Sequence, residues 1–321
     1  MTRARLPLIL AGIALLAGLA MWAGLPAIAR AFAAVGMEGF AVITLVHVPI
    51  ILLLSAAWWS IGEASIGLSF FIAARLARDA VAELLPFSQV GGFAAGVHVL
   101  SLTGIPARTG ALSLLADLLM EFCAKLPYAL AGLALLVSLR PASPLPPYLL
   151  TTIAILVGLP LLLLLLRSLL SQWVSRLLQR WLPDSEDLRT LLALKGLGPS
   201  GALHVVCWAL GGLEAWVTLR LMGIPVSVLE AVAIDSLVTS LRTFGFFVPA
   251  ALGVQEAAYV LVYGLFGIAP GEAMAFSLVR RARDLLFGLA GLGLWQHLEV
   301  RRARRPGPLQ GTHHPRATSL S

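Results

Sequence analysis

The sequence predicts an all-α fold: a polytopic integral membrane bundle of about 8–10 segments, in two pseudo-repeats that each carry a short Pro/Gly-broken segment. Three observations predict it. The chain of 321 residues is 59% hydrophobic and 12% charged, with a mean hydropathy of +0.91, whereas soluble domains carry about 25% charge. Charge-free runs at Leu6–Ala29, Gly39–Gly62, Leu84–Ala107 and Pro141–Leu166 reach the roughly 20 apolar residues that cross a hydrocarbon core of about 30 Å. Finally, one broken-helix pattern occurs twice, once around Pro86 in the first half of the chain and once around Pro249 in the second.

The first copy of that pattern runs Leu85-Pro86-Phe87-Ser88-Gln89-Val90-Gly91-Gly92 and reaches Gly104-Ile105. The second runs Val248-Pro249-Ala250-Ala251-Leu252-Gly253-Val254-Gln255-Glu256 and reaches Gly267-Ile268. Gly-Ile follows the proline at the same spacing in both copies. Interruptions at corresponding places in two hydrophobic halves point to a substrate site in transporters.

The elements follow in order. Leu6–Leu25 is the first span, because its apolar run exceeds the about 7–15 residues of a signal-peptide core. Phe40–Trp59, Ser65–Leu85, Phe87–Thr103, Ala111–Leu139 and Tyr148–Leu166 come next. Arg167 to Lys195 is a polar insert with five basic and three acidic groups and with Trp173 and Trp181. That composition suits an interfacial amphipathic helix plus loop. Ser200–Met222, Val228–Val248, Ala250–Phe266 and Ala273–Val300 complete the spans. Residues 1–300 thus form a single membrane domain, with repeat-like halves at about 40–139 and 200–300 and the insert at 167–195. Residues 301–321, rich in Pro, Gly and Arg, read as a disordered basic tail.

Gly104-Ile105-Pro106, Gly223-Ile224-Pro225 and Gly267-Ile268-Ala269-Pro270 are tight connections between consecutive helices. Glycine suits the left-handed position that ends a helix, and proline suits the first turn of the next.

The net charge is +7. Arg3 and Arg5, with Arg301, Arg302, Arg304, Arg305 and Arg316, supply all of it, so residues 6–300 hold 16 basic and 16 acidic groups. Basic ends beside apolar spans read as cytoplasmic anchors, not as the basic face of a nucleic-acid binder. Both termini and the insert are then cytoplasmic. Phe87–Thr103 and Ala250–Phe266 are equal in length, short for a span, and leave two readings open. If they cross, there are ten crossings and the two broken units are inverted relative to each other. If they turn back, eight spans remain, the units are parallel and the insert moves outside. The positive-inside rule favours ten.

Ionisable groups at bilayer depth cost about 2.5–3.5 kcal/mol each on insertion scales and usually face the bundle interior. Arg75, Asp79 and Glu83 form one i, i+4, i+8 stripe, and Asp117, Glu121 and Lys125 form another. Asp235, Ser236, Thr239, Ser240, Arg242 and Thr243 precede Pro249. The last span opens with Arg280, Arg281, Arg283 and Asp284. These stripes either pair with one another to hold helices together or line a polar, partly hydrated central site, and their clustering around both breaks favours the site. Pro86 and Pro249 free backbone carbonyls. Gly91, Gly92 and Gly253 permit close approach, and amides at a new helix start attract anions. A phosphate or carboxylate headgroup would be oriented there by Gln89, Gln255 and Glu256.

Cys123 and Cys207 read as small hydrophobes in a bundle, with no CxxC spacing. The chain has no P-loop, and none of its histidines, 47, 98, 204, 297, 313 and 314, lies in an HExxH pattern, so neither cofactor nor metal is expected. His47 reads as a satisfied core residue.

Phe246 to Glu256, followed by Ser277-Leu278-Val279-Arg280-Arg281-Ala282-Arg283-Asp284, resembles the flippase-like membrane region of lysylphosphatidylglycerol synthases. With Leu85 to Gly92, it looks most like the hopanoid-associated HpnL branch. The resemblance covers roughly residues 5–300. It implies a bacterial inner-membrane protein that moves amphiphilic lipids, with membrane lipids and lipid (hopanoid) biosynthesis proteins as partners. Synthase activity resides in a soluble domain of the aminoacyl-transferring members and is not carried over. Arg75, Arg242, Arg280 and Arg283 would then attract an anionic or hydroxylated headgroup. Asp79, Asp117, Glu121, Glu256 and Asp284 would neutralise them or carry a coupling proton. An intramembrane lipid-headgroup-modifying enzyme and a non-transporting scaffold of a biosynthetic complex are the alternatives.

Overall fold

The computed structural model describes residues 25–62, 65–84, 88–141, 196–243 and 254–303. These form eight helices and, among the described residues, no strand. They are α1 (Leu25–Ile61), α2 (Leu68–Leu84), α3 (Ser88–Ser101), α4 (Ala107–Leu139), α5 (Leu197–Leu221), α6 (Val228–Arg242), α7 (Val254–Leu265) and α8 (Pro270–Ala303). The predicted spans Leu6–Leu25 and Tyr148–Leu166, the insert, and the tail beyond residue 303 lie outside the described residues, save Leu25 itself. The fold is the expected polytopic helical membrane bundle. Among the described residues, three stretches are long and apolar enough to cross a bilayer: Ala33–Ile61, Ala107–Leu139 and Leu197–Leu221.

The connections follow from local chemistry. Gly104, Gly223 and Gly267 have φ of 99°, 79° and 77°, the left-handed values that close a helix at a residue without Cβ. Pro270 then opens α8, and Pro106 sits just ahead of α4. Ahead of α6 the cap is Ser227, which pairs with Glu230 in a capping box. Gly36, with φ of 60° and ψ of −178°, breaks α1 near its start.

The short segments turn back rather than cross. Helix α3 runs antiparallel to α2, close enough that a Cβ on Gly92 would stand 2.6 Å from the Arg78 carbonyl oxygen. Farther along, Gly96 faces Ala74 and Arg78. His98, near the end of α3, meets Glu299 near the end of α8 at 2.5 Å. A cavity of about 610 Å³ is lined by the residues ahead of α2, the α3–α4 turn and Leu298, Arg301 and Arg302 of α8. The hairpin α2–α3 therefore enters and leaves on one face, called face I here.

The hairpin α6–α7 does the same from the other side. Arg140, just past α4, donates to Glu230 at the start of α6 (3.0 Å) and to the carbonyl of Phe266 just past α7 (3.4 Å). Both ends of that hairpin thus lie on face II. Helix α4 has 33 residues and spans about 50 Å at 1.5 Å per residue. Near its middle, Lys125 bonds Thr243 beyond the inner end of α6 at 3.4 Å. At that depth the two hairpins touch, where Arg242 of α6 pairs with Glu83 of α2 at 3.7 Å. The ten-crossing arrangement does not hold, because the inner ends of both hairpins stop beside the middle of α4 and reach neither of its ends.

Apart from an α1–α4 contact that α5 and α8 do not match, the packing is symmetric under exchange of α1 with α5, α2 with α6, α3 with α7 and α4 with α8. The contacts α1–α2, α2–α3, α3–α4, α2–α8 and α1–α8 have counterparts in α5–α6, α6–α7, α7–α8, α6–α4 and α5–α4. At the centre, α1 and α5 run antiparallel. Gly39 faces Leu221, the Cys207 thiol points at the Ile50 carbonyl, and Ser60 donates to the Gly196 carbonyl. An antiparallel pair related by a two-fold operation places that axis across the helices. The α2–α3 hairpin accordingly enters from one face and α6–α7 from the other. The parallel units that the sequence tied to re-entrant segments are thus not what forms, because α2 turns back together with α3.

Each hairpin carries its own apolar packing. Trp58, Phe71, Val99, Leu100 and Leu114 are buried together around α2–α3. Tyr259, Tyr263 and Phe276 are buried around α6–α7, with the two tyrosine rings edge to face at 5.5 Å.

Candidate functional site

Two charged clusters occupy the interior where the hairpins end. In the first, Arg75 of α2 is the hub. Its guanidinium reaches Asp79 (3.1 Å), Asp117 (3.3 Å) and Glu121 (3.4 Å). The sequence stripes explain this: Arg75 and Asp79 share a face of α2, and Asp117 and Glu121 share a face of α4. Arg78 backs the hub, 2.9 Å from Asp79 and 3.7 Å from Glu121. His204 of α5 completes it, with Nε2 at 2.9 Å from the second oxygen of Asp117. Asp117 and His204 are fully buried and Arg75 nearly so, while the Asp79 side chain is 34% exposed and that of Glu121 22%. The cluster therefore opens from a dry end at His204 to an accessible end at Asp79.

In the second cluster, Arg280 of α8 donates to Asp235 of α6 at 2.6 Å and to the Tyr259 hydroxyl at 3.0 Å. Tyr128 of α4 donates to the other Asp235 oxygen at 3.0 Å. Arg281 donates to Glu256 at 2.7 Å. Arg283 pairs with Glu214 of α5 and with Asp284, the latter at 2.6 Å. His47 of α1 lies 2.8 Å from Glu214.

The clusters answer each other with sign reversed. Asp117 and Arg280 stand at the same sequence offset as Pro86 and Pro249. Each sits on the helix after its hairpin and pairs with a group on the first helix of that hairpin, Arg75 in one half and Asp235 in the other. A buried ion pair depends on geometry and not on which partner carries which sign, so a repeat can exchange the charges and keep the joint. His47 and His204 also correspond. They are 157 residues apart, as are Ile50 and Cys207 at the α1–α5 contact.

Arg75, Asp79, Asp117 and Glu121 thus form one predicted group, and Arg280, Arg283 and Asp284 join another. Arg242 stands between them on Glu83. Pro86, Pro249, Gly253 and the side chain of Gln89 lie outside the described residues. Gly91 and Gly92 serve the close approach of α3 to α2, with Val81, Ala82 and the Arg78 backbone as neighbours. Gln255 and Glu256 are buried and turned inward. Gln255 donates to Ser277, and Ser277 donates to Glu256. Their amide and carboxylate hold α7 to α8 and are not presented to a headgroup. The pairing reading of the stripes therefore describes most of these charges. The partly exposed Asp79, Glu83, Glu121, Arg242 and Asp284 are the ones that face outward from the network.

The sequence reasoning missed His204, Glu214, Arg78 and Tyr128 as members. A lone histidine or glutamate in an apolar helix carries no partner in its own sequence neighbourhood. The one signal was the common offset of the two histidines and the α1–α5 contact residues. Donor atoms of Asp117, Glu121 and His204 lie within 4.8 Å of one another. Two guanidiniums already hold both carboxylates, and Lys125 adds a third positive charge near Glu121, so Asp79, Asp117 and Glu121 leave no negative charge for a divalent ion to balance. The donor set does not suit a metal.

A family model described as the lysylphosphatidylglycerol synthase TM region matches residues 9–291. No curated protein and no solved structure matches the chain significantly.

Proposed function

The chain belongs to the lysylphosphatidylglycerol synthase transmembrane-region family, and on that premise we propose that it is a flippase-like translocase of amphiphilic lipids. The observation that carries this reading is the meeting of two opposed hairpins at Glu83 and Arg242, mid-way along α4. Non-helical backbone is tolerated at bilayer depth only where protein buries it or it lines a polar passage. Broken helices meeting at the midplane from inverted halves are the plan of alternating-access carriers. In this reading a headgroup passes along the outward-facing charges Asp79, Glu121, Glu83 and Arg242, while the acyl or polycyclic tail stays in the bilayer. Hopanoids and other lipids with an anionic or hydroxylated headgroup are the substrate class, and the protein carries out no chemistry on them. The membrane is the bacterial inner membrane, with face I cytoplasmic, because Arg108, Arg301 and Arg302 lie there. Lipid-biosynthesis proteins are its expected neighbours.

The test is a leaflet-resolved assay in reconstituted vesicles with tail-labelled candidate lipids. Exchange is expected with the unaltered chain and loss of exchange with Arg242→Ala. Lipid analysis of a deletion strain should show relocation of a lipid, since disappearance of a chemical species would mean an enzyme instead. Full cellular function of both Arg242→Ala and Glu256→Gln would mean a scaffold.

Topology is checked separately. Single cysteines replacing Arg108 and Arg140, in a chain lacking Cys123 and Cys207, should label from opposite sides of the membrane. Labelling from the same side would overturn the two-faced placement of the hairpins.

A further inference from the structure

The outer ends of the two hairpins are built alike but finished differently. On face II, Arg140 closes the mouth of α6–α7. It donates to Glu230 at the start of α6 and to the Phe266 carbonyl past α7, and its guanidinium lies 5.7 Å from the centre of the Phe266 ring. The offset that carries Pro86 onto Pro249 carries Gly67 onto Glu230 and Thr103 onto Phe266. On face I, the start of α2 therefore lacks the carboxylate and the α3–α4 turn lacks the ring. The positive charge remains, because α8, the counterpart of α4, ends in Arg301 and Arg302. Between these arginines and the mouth of α2–α3 lies the cavity of about 610 Å³, with Gly67 and Thr103 in its wall. Neither guanidinium has a hydrogen bond or ion pair among the described residues. Glu299, on the same helix end, is held by His98 and by the Trp295 Nε1–H at 3.2 Å, and Arg302 acts on it by charge alone.

The walls select the occupant. Two guanidiniums offer planar forks that match a phosphate. The start of α2 opens on the same cavity at Gly67, and the positive end of a helix dipole favours an anion. Phe70, Leu102, Ile105 and Leu298 give the cavity an apolar side. A phosphate that carries hydrocarbon satisfies both kinds of wall, and basic pockets between membrane helices hold such headgroups.

We propose that the face I mouth binds the phosphate of an anionic phospholipid, which gives Arg301 and Arg302 the negative charge that Glu230 gives Arg140. The lipid held there ties the end of α8 to the α2–α3 hairpin. This site is separate from the meeting point of the hairpins, since Glu83 lies about 22 Å farther along α2. It does not depend on the translocase reading.

The experiment is a calorimetric titration of the full chain in maltoside detergent with dihexanoyl phosphatidylglycerol, with the matching phosphatidylcholine and with inorganic phosphate. Phosphatidylglycerol should bind, and the other two should bind at least about tenfold more weakly. Arg301→Gln combined with Arg302→Gln should weaken phosphatidylglycerol by at least about tenfold, through loss of charge-assisted bonds to one phosphate. Gly67→Glu tests the same site with both arginines in place. A Cβ there meets only the Ser69 Oγ, at 3.8 Å, and the backbone is outside the left-handed region, so the side chain fits. It supplies from the chain the carboxylate that face II already has, and phosphatidylglycerol binding should be lost. Undiminished binding in either variant, or a folded chain that binds no phosphatidylglycerol, would overturn the site. Equal affinity for inorganic phosphate would overturn the lipid as its occupant. None of these outcomes bears on lipid exchange, so the translocase reading stands or falls by its own assay.

Discussion

Arg75→Met should be the most destabilising single change in the described interior. The guanidinium is 3% exposed and bridges three carboxylates on two helices. Methionine fills similar space but leaves Asp117, fully buried, with only Arg78 at 4.0 Å as a cationic partner. Breaking one side of a buried ion pair costs about 3–5 kcal/mol, because the remaining charge stays out of water without compensation. Thermal unfolding of the purified protein in detergent should show a loss on that scale, with low yield from the membrane. Arg75→Lys should recover only part of it, since an ammonium cannot present the planar fork that reaches Asp79, Asp117 and Glu121 at once. Combining Arg75→Met with Asp117→Asn should cost less than the two changes summed, as expected of groups in direct contact. Additive losses, or an unaltered unfolding curve for Arg75→Met, would mean that the hub does not hold α2 to α4.

What the sequence made legible follows from which interactions are local. Gly104, Gly223 and Gly267 were readable as helix stops because a positive φ is a demand of one residue on its own backbone. The stripes Arg75–Asp79 and Asp117–Glu121 were readable because i, i+4 spacing places them on one helix face. Their partners were not, since nothing near Arg75 in sequence points to α4, and nothing near Arg280 points to Asp235. The hairpins were undecidable for a similar reason. A helix of 14 residues such as α3 rises about 21 Å, a length that fits both a shallow crossing and a return. The deciding fact is how deep its inner end lies, and that is fixed by Glu83, just ahead of it, meeting Arg242, 159 residues away, beside the middle of α4. Gln255 and Glu256 show the opposite error: a motif that looks suited to a ligand is consumed by Ser277 and Arg281.

Reversing the charge at the hairpin meeting point should have the largest effect on transport. Glu83 and Arg242 are 3.7 Å apart, and their side chains are 30% and 25% exposed, so the pair is neither sealed in the core nor fully in water. That exposure allows it to open and close at modest cost. Glu83→Arg would set two guanidiniums against each other, with Arg281 also near the site. Like charges in such contact cost several kcal/mol, which corresponds to more than about tenfold in any equilibrium that brings the tips together. Lipid exchange in vesicles should fall by at least that factor, and Arg242→Glu should do the same beside Asp284. The double exchange, Glu83→Arg with Arg242→Glu, should restore much of the rate because it remakes the pair with its sign reversed, as the two repeats already do at Arg75–Asp117 and Arg280–Asp235. If the double variant were as inactive as the singles while remaining folded, contact between the tips would not be what transport requires.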